Sequence, residues 1–465
     1  MKQAALEIDK ASDKISDKES RLGVATVVVA LFLAAVDSTI VSTALPSISR
    51  SLGRPELYPW IMSGFLLPVA LGAPLAGACA DRLGISTVLK AALGLFLAAS
   101  VGAALSPSMP LLIAARVLQG AGAGAIITLS YALLASLFDS ARRGKMQGML
   151  SSVWGLSAVA GPLLGSVLDS LFGWRAIFWF NLPIGLVALL MLCVAPQAGK
   201  RAGRTPIDLP AQALLMVLLG SVLLLITESS DAAQWRFGLL LAATASGILL
   251  VARLRPRAEL SPIPLEFLRR RTLLAVSALV LLSSAGLYAS VTLLPLALQP
   301  FGSGSLSIGV LIMMAALGWV VGAAVCGSRL GKAGYRRMAS CGMLLLGAGC
   351  LAMPLALSHR LVVPVALAVG VALALIGLGM GCTATTTLVY AQNRAPAERL
   401  GTWTSTIQFL RNLGAALGIN ALGTLQLRIT GAASFQTCFT MLGALMLVGL
   451  AAAVLLPARY DTNHA

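Results

Sequence analysis

Ala35-Val-Asp-Ser-Thr-Ile-Val-Ser-Thr-Ala-Leu-Pro46 places a carboxylate, Asp37, inside the first long apolar run of the chain. Asp37 lies about 14 residues from the start of that run, which at helical rise is ~21 Å into a bilayer whose hydrocarbon core is ~30 Å thick. An ionised group at that depth is costly and marks a functional site by default. No other Asp or Glu of the sequence lies as deep. The stretch therefore reads as a membrane helix built around a group that binds and releases a proton or a cation.

Working outward, the 465 residues are 58% hydrophobic and only 11% charged, and apolar runs of helix-spanning length recur from Leu22 to Leu456. The chain is a polytopic membrane protein. Its net charge of +17 does not point to nucleic acid, because no basic cluster interleaved with aromatics sits on a soluble domain. The seven Cys lie almost wholly within apolar runs without metal-type spacing and read as small core residues, so no metal site is expected. No phosphate-binding loop is present, and the two His, His359 and His464, lie near a loop and in the carboxyl tail. The expectation is a non-enzyme without a cofactor, with the lipid bilayer and a small lipophilic substrate as partners. The mixed-charge tail 1–21 lacks the features of a cleaved signal peptide, so the first helix is expected in the mature protein.

The pattern predicts an all-α fold of fourteen spans, near 22–45, 59–79, 85–105, 109–132, 146–171, 176–194, 209–227, 237–251, 273–298, 308–326, 338–357, 362–389, 402–425 and 435–456. With both termini in the cytoplasm, most of the 34 Lys and Arg fall on cytoplasmic segments, as the positive-inside rule requires. The clusters Lys200, Arg201, Arg204; Arg253, Arg255, Arg257; and Arg269 to Arg271 bracket spans seven and eight. The expected organisation is a tail 1–21, a six-helix bundle 22–197, a linker 198–258 with two extra helices, a second bundle 259–457 and a tail 458–465. The two bundles repeat one another. Gly77-x-x-x-Asp81-Arg82-x-Gly84 recurs as Gly327-x-x-x-Gly331-Lys332-x-Gly334, and Gly120, Gly122, Gly124, Gly144 and Gly161 recur at Gly377, Gly379, Gly381, Gly401 and Gly418. Parallel repeats with a site between them are a transporter arrangement.

Residues 22–456 resemble the major facilitator superfamily, and within it the fourteen-helix drug:proton antiporter branch. Asp37 to Pro46 resembles that branch's first-helix signature. Gly77-Ala-Cys-Ala-Asp81-Arg82-Leu-Gly84 resembles the loop motif after helix two, and Arg116-Val-Leu-Gln119-Gly120 the motif of helix four. Ser157-Ala-Val-Ala-Gly161-Pro162-Leu-Leu-Gly165 resembles the antiporter motif of helix five. Trp174-Arg-Ala-Ile-Phe-Trp-Phe-Asn181-Leu-Pro183-Ile-Gly185 and Asp208 are also similar to the branch. The resemblance implies a proton-coupled exporter of drugs or toxic compounds in the inner membrane. It leaves room for a periplasmic adaptor and an outer-membrane channel as partners, and for a monomeric unit. Rival readings are export of an endogenous metabolite, siderophore or lipid, and a transporter-like membrane sensor or assembly factor.

Asp37 is the expected proton site, since burial disfavours the charged form of a carboxyl and a nearby cation favours it; otherwise it bonds Ser38 or Ser42 as a structural group. Arg116, at similar estimated depth, is its expected partner, with Gln119 one turn away; otherwise Arg116 caps carbonyls. Ser38, Ser42, Gln119, Tyr288, Gln408, Arg411 and Asn412 are candidate substrate contacts. Arg411 reads equally as a packing or snorkelling side chain. Gly161, Pro162 and Gly165 are expected to form a tight, bent contact where the halves meet. Gly77, Asp81, Arg82 and Gly84, with Arg142, Arg143 and Lys145, are expected to form a salt-bridge network closing the inner face, unless those charges only set topology; the resemblance implies that the loop acid, Asp81, stabilises the outward-facing state through a helix amino terminus and nearby arginines. The sequence departs from the family where Ile85 and Ser86 follow Gly84 and where Gly331 replaces the acid of the second copy. With one deep acid against Arg116 and Arg411, neutral, monovalent, zwitterionic or anionic cargo is favoured over dications.

Overall fold

The structure, a computed structural model, describes residues 17–54, 57–138, 140–194, 208–227, 233–255, 261, 263–298, 305–357, 364–429 and 433–460. The amino-terminal tail before these, the Lys200 to Arg204 cluster, and the side chains of Ser42 and Pro162 lie outside the described residues. Within them run fourteen long helices and no strand: α1 Asp17–Leu52, α2 Tyr58–Leu83, α3 Ile85–Ala104, α4 Met109–Leu137, α5 Ser140–Phe172, α6 Arg175–Val194, α7 Leu209–Thr227, α8 Ala233–Leu254, α9 Arg271–Leu298, α10 Ser305–Ala333, α11 Tyr335–Ala356, α12 Val365–Arg394, α13 Leu400–Arg428 and α14 Ala433–Val454. A single turn, Glu266–Arg269, precedes α9.

Eleven of these helices are long and apolar enough to cross a membrane; α5, α7 and α13 are the others. The described apolar stretches of α5 and α7 are Leu163–Phe172 and Leu209–Val222. Both α5 and α13 carry buried polar residues, Gln147 and Ser151 in the first and Thr404, Gln408 and Arg411 in the second. Helices of this kind face other helices rather than lipid. Hydroxyls within the helices return to their own backbone, as Thr26 does to Leu22 O at 2.7 Å and Ser157 to Val153 O at 2.8 Å, which satisfies them without water.

The internal repeat reappears in three dimensions. Gly120 and Gly124 of α4 lie against the backbone of Phe65 and Val69 on α2, while Gly377 and Gly381 of α12 lie against Ala315 and Trp319 on α10. Gly122 meets Ala92 and Phe96 on α3; Gly379 meets Gly342 and Leu346 on α11. Each pair of partners stands at one constant offset in sequence, so the same helices touch at the same places in both repeats. A Cβ at these positions would collide with a neighbouring helix, and helices meeting this closely depend on small residues. Two turns repeat as well. Gly84 alone separates α2 from α3 with φ 89°, and Gly334 alone separates α10 from α11 with φ 80°, a region open to glycine and strained for side chains.

The repeats meet at one end. Gly77 on α2 abuts Gly401 on α13, and Gly327 on α10 abuts Gly144 on α5. Gly327 is the repeat counterpart of Gly77, and Gly401 of Gly144, so these contacts are one contact made twice. On α5 the approach to α10 continues through Gly148 against Ala323 and Gly155 against Val320. One hydrophobic core joins both repeats, whereas a second, around Val36, Ile40, Leu112 and Phe178, is built from the first six helices alone.

This corrects the expectation for helix five. Gly161 does not lie between the halves; it packs on Thr39 of α1, whose hydroxyl donates to Ser157 O at 3.3 Å. Helix α5 crosses from α10 to α1 along its length, and Gly161 falls on the α1 portion. Gly165 is buried further along.

Helices α7 and α8 pack on each other, and α7 lies against α2 and α13. Asp208 accepts the N–H of Ala211 at 3.0 Å at the start of α7 and receives Arg253 Nε from α8 at 2.8 and 2.9 Å. One carboxylate thus caps a helix and ties the two together.

Candidate functional site

Asp37 on α1 is fully buried, and side chains of α4 and α6 bond to it. Arg116 on α4 donates to Oδ2 at 2.7 Å; Asn181 on α6 and Gln119 on α4 donate to Oδ1 at 2.7 and 3.0 Å. Arg116 and Gln119 share one helix face at a spacing of three, and Arg116 also donates to Gln119 Oε1 at 2.7 Å. Because Arg can only donate, that bond fixes the amide orientation and turns Gln119 Nε2 toward Asp37 and Ser100 Oγ on α3, the latter at 2.9 Å. The guanidinium rests over the Phe65 ring at 4.0 Å and approaches Phe178 at 6.0 Å, where ring faces attract a cation. Its second terminal nitrogen has no hydrogen-bond partner.

The expected Asp37–Arg116–Gln119 grouping is therefore present. Ser38 is not part of it: its hydroxyl donates to Ala35 O at 2.7 Å. Gln119, offered as a substrate contact, is committed to the carboxylate and fully buried. Asn181 and Ser100 were not singled out, although an amide isolated in the apolar helix Arg175–Val194 was a readable signal.

At the end where the repeats meet, Asp81 closes α2 onto the first turn of α13. Its carboxylate accepts Gly401 N–H at 2.7 Å, Thr402 N–H at 2.8 Å and the Thr402 hydroxyl at 2.5 Å. A helix amino terminus presents free N–H groups and partial positive charge, which suits an anion. Asp81 thus meets a helix amino terminus, as the resemblance implied for the loop acid. Arg143 turns the same way, donating to Ala135 O at 2.9 Å and Phe138 O at 3.1 Å at the end of α4, and to Asn393 Oδ1 at 3.0 Å on α12. Arg82 and Arg142 are exposed.

A third group lies between the repeats. Arg411 on α13, 7% exposed, donates to Gln408 Oε1 at 3.0 Å. It lines a small cavity with Tyr131, Gln147 and Ser151 from the first repeat and Trp319 and Thr385 from the second. Tyr288 of α9 stands beside it. Of the candidate substrate contacts, Tyr288, Gln408 and Arg411 come together here, and Asn412 is half-buried on the same helix. No cluster of His, Cys, Asp or Glu that could hold a metal occurs among the described residues.

A membrane-embedded helical protein with internally repeated halves, a buried ion pair in one half and a polar cavity between them is a transporter in its architecture. The chain belongs to the Major Facilitator Superfamily, whose profile matches residues 27–419; it is a multi-pass membrane transporter and not an enzyme. It is 28% identical to the multidrug transporter protein MdtP of Bacillus subtilis over 89% of this chain and 76% of that protein. It is 26% identical to multidrug resistance protein 3 of the same organism over 86% and 78%. The transporter Rv1877 of Mycobacterium tuberculosis is 29% identical over 85% of this chain, which spans 58% of Rv1877. Among solved structures, the human organic anion transporter MFSD10 has a TM-score of 0.69 at 21% identity, over 93% of this chain and 99% of that one. The proton:xylose symporter XylE has a TM-score of 0.66 at 16% identity, over 93% and 95%. These likenesses establish the fold.

Proposed function

We propose that this protein is an exporter of lipophilic drugs or related toxic compounds, driven by protons moving the other way across the inner membrane. Relatives named as multidrug transporters support the direction and the cargo. The observation that carries proton coupling is Asp37: a fully buried carboxylate on a membrane helix, held by the Arg116 cation and the Gln119 amide of α4 and the Asn181 amide of α6.

In this reading residues 22–197 and 259–457 are two six-helix bundles, residues 198–258 add two helices, and all fourteen helices cross the membrane with both termini in the cytoplasm. The end bearing Arg82, Arg142 and Arg143 is cytoplasmic by the positive-inside rule. A molecule closed at that end faces outward. An unprotonated Asp37 accepts all three donors; a proton on it removes an acceptor and the charge that holds Arg116. Loading and unloading the proton therefore exchange one set of helix contacts for another, which is the differential interaction that shifts a two-state equilibrium. The substrate occupies the space between the bundles, and the bundles rock about it.

The test is flux in proteoliposomes of known protein orientation. An imposed pH gradient is expected to drive a fluorescent lipophile against its own gradient, with protons moving oppositely. Flux indifferent to the gradient removes the coupling claim.

A further inference from the structure

Five charged side chains are buried among the described residues: Asp37, Asp81, Arg116, Asp208 and Arg411. Asp37 and Arg116 pair with each other, Asp208 pairs with Arg253, and Asp81 is met by the start of α13. Arg411 is the exception. Its described hydrogen bonds go to neutral groups, Gln408 Oε1 and the Tyr131 phenol, and its Nε has no partner. Because Arg only donates, the bond to Gln408 fixes that amide, leaving Gln408 Nε2 as a second donor without an acceptor. Two unpaired donors and a buried positive charge are expensive to maintain.

The surroundings do not offset that cost. The cavity that Arg411 lines is small, about 10 Å³, and its lining includes no Asp or Glu. Tyr131, which accepts a hydrogen bond from Trp154 Nε1 at 3.2 Å, and Tyr288 lie beside the guanidinium and contribute phenols, not charge. Arg411 stands eleven residues into α13, ~16 Å from the closed end at helical rise, too deep for its head to reach the interface there. Side chains from both repeats line the space, and Trp319, Ala384 and Leu388 give it an apolar flank. What the site lacks is an acceptor bearing negative charge.

We propose that Arg411 and Gln408 form the head-group subsite for an amphipathic organic anion, a carboxylate or similar oxyanion on a lipophilic body. The guanidinium and the Gln408 amide supply donors to its oxygens, and Trp319 and Leu388 contact the start of its apolar part. In this closed form the cavity has room for little more than one water-sized group, about 10 Å³, so the head group enters when the repeats part. This rests on the exporter reading for its biological meaning, although binding can be measured without transport.

The experiment compares a dansylated long-chain fatty acid with its uncharged carboxamide, by fluorescence titration of the purified full-length protein in nanodiscs. A charge-assisted contact of this kind is worth roughly 10- to 100-fold in affinity. The acid is expected to bind tighter than the carboxamide by such a factor. Arg411→Gln should erase the preference, with an unchanged Tm reporting that the protein is folded; Arg411→Lys should retain part of it. Equal affinities in the wild type, or a preference that survives Arg411→Gln, overturn the proposal. Gradient-driven flux of the carboxamide in proteoliposomes tests the exporter reading separately. Flux without an anion preference removes only the subsite, and a preference without flux upholds the subsite while removing the exporter.

Discussion

Asn393 at the end of α12 accepts a hydrogen bond from Arg143 of α5 at 3.0 Å and so ties the second repeat to the first. Its amide nitrogen donates to the hydroxyls of Tyr335 and Tyr460 at 2.9 and 3.0 Å, and those two rings stack at 5.0 Å. Arg336 next to this stack donates to Leu456 O and Pro457 O at 2.9 and 3.1 Å. The segment after α14 is thereby fastened to the end where the repeats close. Gly331 stands where the first repeat has Asp81, and on this side Arg143 and Asn393 make the polar link that the missing acid does not.

Asn393→Ala should loosen that end. Alkylation of Ser405→Cys, a buried position against Gly77, in a cysteine-free background is expected to speed up severalfold. Unchanged labelling would show that the link adds nothing to closure.

Asp81→Asn should act more strongly. Asn offers one oxygen where the carboxylate offers two, and its NH2 would face an N–H that also donates. Loss of a charge-assisted bond of about 1.5–3 kcal/mol shifts the balance of closed and open forms by roughly 10- to 100-fold. Distances between spin labels on the ends of α2 and α13 are the measurement, with a longer population expected.

Gly401→Ala tests the same contact by shape. A Cβ there would stand 2.6 Å from both Asp81 Oδ1 and Gly77 O, and backbone cannot yield as a flexible side chain can. The same spin-label distances should lengthen as in Asp81→Asn, with thermal stability close to wild type. Gly327→Ala, the counterpart against Gly144, is expected to do likewise; a difference between the two would show that the repeats close unequally.

Asp37→Asn keeps the shape of the side chain and removes the titrating group, so gradient-driven flux in proteoliposomes is expected to fall to background. Arg116→Ala leaves a buried carboxylate without its cation, a change worth about 3–5 kcal/mol of stability, read as a fall in Tm. The double variant should be more stable than Arg116→Ala alone, because neighbours in one network do not add. Full coupled flux by Asp37→Asn would end the assignment of the proton to this residue.

The helical class, the repeat and the deep placement of Asp37 were legible in one dimension, because each depends on local chemistry. A long apolar run must be a helix in lipid, since no water satisfies its backbone, and a carboxylate at that depth stands out by its cost. Glycines at a constant offset carry a packing requirement that survives in the letters, and Gly120 with Gly377 meets it with corresponding neighbours. The Arg116 and Gln119 partnership was legible because their spacing places both on one helix face.

Tertiary structure alone decided what depends on the mutual rotation and approach of distant helices. Asn181 and Ser100 join Asp37 from α6 and α3, and no spacing in the sequence encodes that meeting. Which helix amino terminus Asp81 meets, the start of α13, 320 residues away, was decided by the approach of the two repeats. Gly161 went to α1 and Gly144 to the repeat interface because one long helix passes different neighbours along its length. The lack of a carboxylate beside Arg411 among the described residues was decided in the same way: charge is written in the sequence, and its neutral neighbours are a property of what the fold places around it.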